Sequence, residues 1–236
     1  MSKRRDPLDR YFTPPWCTRV LMDFLIEDEF ERMEGPLTAL EPCCGMRDIA
    51  DVLADDYDLE VCTMDIDPRS RADTIGDFIT HPLAELGWVD WVITNPPYQT
   101  DQYHAVDFIK RTLKIGTATG VAHLVRMSIL EPCDNRVNLL QELSPSYVLY
   151  LPRPRFKWGK TDSVTSVWLV WVRGDDGAWL PTRQNGLRFF GNEVREKTPE
   201  DWVSRYEAVG DTTIHLEPEP PANLNLLDTL MKGAAE

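Results

Sequence analysis

The stretch Trp88-Val89-Asp90-Trp91-Val92-Ile93-Thr94-Asn95-Pro96-Pro97-Tyr98 decides how this chain is read. Its first half is a short apolar run, the pattern of a buried strand. Its second half turns sharply. Two consecutive prolines fix φ and lack N–H groups, so the backbone there is rigid and its carbonyls are left free. The side-chain oxygen of Asn95 and the carbonyl of Pro96 make an acceptor pair suited to an exocyclic amino group. Tyr98 beside them offers a ring on which a flat base can stack. An Asn-Pro turn alone is ordinary, so its meaning depends on the rest of the chain.

Working outward, six more short runs read as strands, at 37–40, 61–64, 73–75, 120–125, 147–151 and 164–172. Between them lie stretches with helical spacing. Thr13 caps and Pro14 opens a helix continued by Val20, Leu21, Phe24 and Leu25. Another starts near Asp48, a third places Val106, Ile109 and Leu113 on one face, and a fourth is capped by Asp134. Strands alternating with helices predict an α/β fold, a mostly parallel seven-stranded sheet covered on both faces. The last two strands have no helix between them and predict an antiparallel terminal hairpin. Residues 1–174 read as one catalytic domain. Residues 175–236, with a turn at 174–177 and short helices from Thr198 and over 223–231, read as a small C-terminal extension.

With 236 residues, 42% of them hydrophobic, and a mean hydropathy of −0.35, the composition is that of a soluble globule. No apolar run approaches a membrane span, and the basic start Lys3-Arg4-Arg5 is followed by acids where a signal peptide needs an apolar core. A cytoplasmic protein is expected. Five cysteines without a CxxC pair and four scattered histidines predict reduced thiols and no metal. The net charge of −14 works against nucleic-acid binding. Positive charge is nevertheless concentrated at Arg153, Arg155, Lys157 and Lys160, with Arg126 and Arg136 upstream.

Parallel sheets bind ligands at the carboxyl ends of their strands. Here four successive strand ends carry Glu41, Asp65, Asp77 and Asn95, which together predict one cleft. A carboxylate after the second strand suits a ribose diol, and Gly45 lets the backbone approach a cofactor closely.

Taken in order, these motifs resemble the class I (Rossmann-like) S-adenosylmethionine-dependent methyltransferases of the N6-adenine DNA type. The order is the γ arrangement, in which the amino-terminal cofactor motif precedes the glycine motif. The chain is most similar to the small orphan enzymes of phages and prophages, which implies a host cytoplasm. Thr13-Pro14-Pro15-Trp16 matches the amino-terminal motif, implying that Thr13, Pro14 and Trp16 contact the methionine part of S-adenosylmethionine. Glu41-Pro42-Cys43-Cys44-Gly45 matches the glycine motif, with Glu41, Pro42, Cys43 and Gly45 as cofactor contacts. Asp65 matches the ribose-binding acid, with Ile66 beside it, and Asp77-Phe78 matches the pair that holds the cofactor's adenine. Asn95-Pro96-Pro97-Tyr98 matches the catalytic motif, and Asn95 also borders the cofactor. Phe156 matches, more loosely, an aromatic that stacks with Tyr98 on the flipped base.

The implied partner is double-stranded DNA with its adenine flipped out, held through Arg153, Arg155, Lys157 and Lys160, and no metal takes part. One departure stands out: the family's second glycine is Arg47 here. Either its side chain obstructs the cofactor, or it points outward against a carboxylate. Three other functions fit parts of the pattern. An RNA adenine or a glutamine amide of a release factor poses the same geometric problem to Asn-Pro-Pro-Tyr, and a non-catalytic binding module would keep the fold.

Overall fold

Pro15 begins α1 (Pro15–Asp28), where its fixed φ and missing N–H cost nothing. Thr13 does not cap this helix. Pro14, whose ring has no hydrogen-bonding group, holds the cap position, and the Thr13 hydroxyl accepts the Asn95 side-chain N–H. The computed structural model describes residues 8, 11–29, 36–98, 102, 104–131, 144–154, 156 and 164–195. The helix expected after Asp134 and those expected beyond residue 195 lie outside them.

After α1 the order is β1 (Thr38–Glu41), α2 (Asp48–Tyr57), β2 (Glu60–Asp65), β3 (Thr74–Ile75), β4 (Trp91–Thr94), α3 (Ala105–Thr112), β5 (Gly120–Arg126), β6 (Tyr147–Tyr150), β7 (Ser166–Val172) and β8 (Leu187–Phe189). They form one sheet in the order β3-β2-β1-β4-β5-β7-β6-β8. Five strands from β3 to β5 run parallel, and β7 lies antiparallel between β5 and β6. The α/β sheet and its antiparallel hairpin agree with the expectation, but among the described residues the sheet has eight strands, not seven. The eighth comes from the stretch set apart as a C-terminal extension and pairs parallel with β6. It is three residues long with Leu187 and Phe189 exposed, so it leaves no apolar run in the sequence.

Two apolar layers sandwich the sheet, and β4 shows how. Trp91 and Ile93 face the layer holding Trp16, Leu21, Leu25, Ile49 and Leu53 of α1 and α2. Val92 faces the layer holding Phe108 and Ile109 of α3. In β7, Trp168 and Val170 take the first face, and Leu169 and Trp171 the second. Gly120, paired with Trp91 across β4 and β5, makes room for that indole. A Cβ at Gly120 would lie 2.4 Å from the ring.

Candidate active site

The parallel strands β1, β2, β3, β4 and β5 all deliver their carboxyl ends to one rim, and the predicted site residues follow those ends. Glu41 closes β1 and is 2% exposed. Its Oε2 accepts the Ala50 N–H at 2.9 Å, satisfying one of the unpaired donors at the start of α2. Burial pushes its pKa well above the ordinary carboxylate value despite that bond. Pro42, Cys43, Cys44 and Gly45 make the turn that follows. Burial raises both thiols, so neither is a thiolate.

Gly45 has φ of +51°, and its N–H donates to Asp65 Oδ2 at 2.7 Å. A Cβ there would meet nothing within 4 Å, so the turn is open on that side. Arg47 stands where the resembled family has glycine, and its φ of +69° shows why glycine suits the position. Its side chain turns away along α2. Nε donates to Asp51 Oδ1 at 3.1 Å, and a terminal nitrogen donates to Thr63 Oγ1 at 3.0 Å and to Asp73 at 3.4 Å. Of the two alternatives for Arg47, the outward one holds.

Asp65 ends β2 and ties two turns together. Its Oδ2 takes Gly45, and its Oδ1 accepts the Asp67 N–H at 2.8 Å. Burial raises its pKa, with those two backbone donors pulling the other way. Ile66 next to it is 49% exposed, an apolar surface at the cleft rim. Asp77 Oδ1 accepts the Ile79 N–H at 2.9 Å. Phe78 is buried and stacks on Phe108, centroids 6.3 Å apart, so its ring belongs to the core and only its main chain is left to meet a ligand.

Asn95 and Thr13, 82 residues apart in sequence, meet here. The Asn95 side-chain N–H donates to Thr13 Oγ1 at 3.0 Å. That bond fixes the amide and leaves Asn95 Oδ1 buried with no hydrogen-bond partner among the described residues. Buried polar atoms are rarely left this way, and one at a strand end is a waiting acceptor. Thr13 and Trp16 are buried beneath the same rim.

Tyr98 lies in an aromatic group the sequence did not reveal in full. Its ring centroid is 5.2 Å from that of Tyr11 and 6.5 Å from that of Phe156, and Tyr11 lies 5.8 Å from Phe156. Phe156 is only 2% exposed, packed edge-on against both tyrosines, so its loop position did not foretell its burial. The Arg126 guanidinium, at the end of β5, lies over Tyr98 at 4.7 Å from the centroid. Tyr11 and Arg126 carried no site motif, and only the fold brings them to Tyr98. Arg153 is exposed. Arg155, Lys157 and Lys160 lie outside the described residues.

No protein-family model and no curated protein matches this chain. Solved structures do match it. A protein of Listeria monocytogenes described as a class I S-adenosylmethionine-dependent methyltransferase superimposes with a TM-score of 0.60 at 15% identity over 87% of this chain and 73% of its own. The fold is that of the class I methyltransferases. The methyltransferase subunit of a type I restriction-modification system from Streptococcus thermophilus gives 0.55 at 11% identity, and this chain spans 54% of its length. A protein of Pyrococcus horikoshii described as an RNA methyltransferase gives 0.52 at 15% identity over 72% of this chain and 90% of its own. Among the described residues no group of three His, Cys, Asp or Glu side chains is placed to hold a metal ion, and no helix is long and apolar enough to cross a membrane.

Proposed function

We propose that this chain transfers a methyl group from S-adenosylmethionine to the N6 amino group of adenine in DNA. The observation that carries the proposal is the buried, unpartnered Oδ1 of Asn95, held in place by Thr13 beside Tyr98. The cleft residues fit the cofactor. Gly45 leaves open space at a turn, the Asp65 carboxylate suits a ribose diol, and Ile66 offers an apolar face to its base. Asp77 and the main chain of Phe78 follow the next strand end, Thr13 borders Asn95, and Pro14 and Trp16 follow Thr13 in the chain. S-adenosylmethionine, when bound, supplies an electrophilic methyl group on sulfur.

The rest is positioning and electrostatics. The amino group of adenine is a weak nucleophile because its lone pair is delocalised into the ring. Donating its two N–H bonds to Asn95 Oδ1 and the Pro96 carbonyl favours a more tetrahedral nitrogen and frees the lone pair. Pro97 keeps that turn stiff. Tyr98, with Phe156 on its edge, offsets the few kcal/mol that extruding the base costs. Arg153, Arg155, Lys157 and Lys160 meet the flanking phosphates.

The test is incubation of the purified protein with labelled S-adenosylmethionine and, separately, DNA, RNA and a release factor. Label on adenine N6 of DNA supports the proposal. Label on RNA or on a glutamine amide redirects it to that substrate. No transfer to any of them, with cofactor bound, makes the chain a binding module.

A further inference from the structure

In a chain of net charge −14 an arginine has many carboxylates to choose from, and several described arginines have taken one. Arg19 pairs with Asp56 at 2.7 Å, Arg69 with Asp67 at 2.8 Å, Arg183 with Glu29 at 2.7 Å, and Arg47 with Asp51 and Asp73. Arg126 is different. It is partly buried, its Nε is inaccessible to solvent, and among the described residues it has no ion pair and no hydrogen-bond acceptor. Its guanidinium rests on rings instead, 4.7 Å from the centroid of Tyr98 and 5.9 Å from that of Tyr11.

Cation–π contact orients a guanidinium but accepts none of its five N–H bonds. A cation held flat, with donors unsatisfied, beside a ring of the candidate catalytic motif is a receptor for an anion. Its position narrows which anion. Arg126 ends β5, the strand next to β4, which ends at Asn95. A base lying on Tyr98 would carry its sugar and phosphodiester one step away from the ring, within reach of a side chain placed, as Arg126 is, beside that ring. The planar fork of arginine matches two phosphate oxygens.

We infer that Arg126 binds the phosphodiester adjoining the target nucleotide, so that one side chain braces Tyr98 and anchors the substrate strand. The inference rests on the proposed nucleic-acid substrate, and it separates that substrate from a protein amide, which has no phosphate to offer.

The experiment compares wild-type protein, Arg126→Gln and Arg126→Lys on a single-stranded oligonucleotide with one adenine. A second oligonucleotide carries uncharged methylphosphonates on either side of that adenine. Neutralising the linkage should lower wild-type kcat/KM by about 10- to 100-fold, mostly through KM, as expected for a lost charge-assisted hydrogen bond. Arg126→Gln should show that loss on the ordinary oligonucleotide and no further loss on the neutral one. Arg126→Lys should recover part of it. The slope of log affinity against log salt should fall by about 0.7 in the glutamine variant. Calorimetric binding of S-adenosylmethionine serves as the folding control. Equal linkage penalties in wild type and Arg126→Gln, with an unchanged salt slope, would reduce Arg126 to a brace for Tyr98. That result leaves the nucleic-acid reading standing. Wild-type protein that methylates neither this oligonucleotide nor duplex DNA overturns both.

Discussion

Replacing Asn95 with alanine should separate activity from stability, because the structure gives the side chain one satisfied and one unsatisfied end. The amide N–H bond to Thr13 Oγ1, at 3.0 Å, is an ordinary hydrogen bond whose loss costs about 1 kcal/mol. Opposing it, the buried Oδ1 has no partner, and an unsatisfied buried acceptor costs about 1–3 kcal/mol while it stays. Truncation removes both ends. The free energy of unfolding should therefore move by no more than about 1–2 kcal/mol, toward greater stability if it moves at all. Methyl transfer should fall by at least about 100-fold, the usual effect of losing one preorganised hydrogen-bonding group at a reacting centre. Urea unfolding measures the first quantity and single-turnover transfer of labelled methyl measures the second, with calorimetry following cofactor affinity. A variant that loses more than about 2 kcal/mol of stability would show that Asn95 serves the fold, since the deficit exceeds anything its one bond supplies. A variant within tenfold of wild-type activity would show that the orphaned oxygen faces no substrate.

Three further outcomes are expected. Asp65→Asn should weaken S-adenosylmethionine binding by about 10- to 100-fold in calorimetry through loss of a charged acceptor, with the maximal transfer rate much less affected. Gly120→Ala should destabilise the fold by about 1–3 kcal/mol in thermal or urea unfolding, because the new methyl collides with the Trp91 ring at 2.4 Å. His123, buried and bonded to Thr112 Oγ1 at 2.8 Å, has its pKa lowered by burial to about 3. Its neutral form belongs to the folded state, so its contribution is present above pH 6.5 and is lost as pH falls toward 3, by about 1.4 kcal/mol per unit. Glu41 and Asp65, both raised, act in the opposite direction, being destabilising once ionised. They cancel in a comparison of wild type with His123→Gln, whose stability should be flatter between pH 6.5 and 5 by about 2 kcal/mol.

Most of the frame was legible because its strands are apolar runs between turn residues. In the WVIT run of β4 and the SVWLVWV run of β7, burial on both faces leaves continuous hydrophobicity. The candidate site was legible for a related reason. Glu41, Asp65, Asp77 and Asn95 stand at or just after strand ends, so the strand pattern places them without any knowledge of packing. What escaped has a common cause as well. Leu187-Arg188-Phe189 is too short and too exposed to show a period, and it becomes a strand only because β6 offers it an edge. Tyr11 stands in a short aromatic pair with Phe12 ahead of a helix, and its partners lie 87 and 145 residues away. Thr13 carried two readings, helix cap and motif residue, and local sequence favoured the cap. The contact with Asn95 decided otherwise, because a hydroxyl that orients a distant amide is no longer turned toward its own helix.

The charge balance follows the same logic. A net −14 is a sum over the surface, and the sum hides which charges are spent. Carboxylates such as Asp51, Asp67 and Asp73 are occupied in holding turns and arginines, and the arginines they hold are neutralised in turn. What a substrate meets is the remainder. At the mouth beside Tyr98 that remainder includes a cation with free donors, Arg126. On the proposed reading, the acidic surface repels a phosphate backbone everywhere except where its positive groups converge. Weak, salt-sensitive binding with a single productive orientation is what such a distribution produces. On that reading, specificity for the flipped base would lie with Asn95 and Tyr98, while Arg126 and the basic residues Arg153, Arg155, Lys157 and Lys160 would place the strand without reading its sequence.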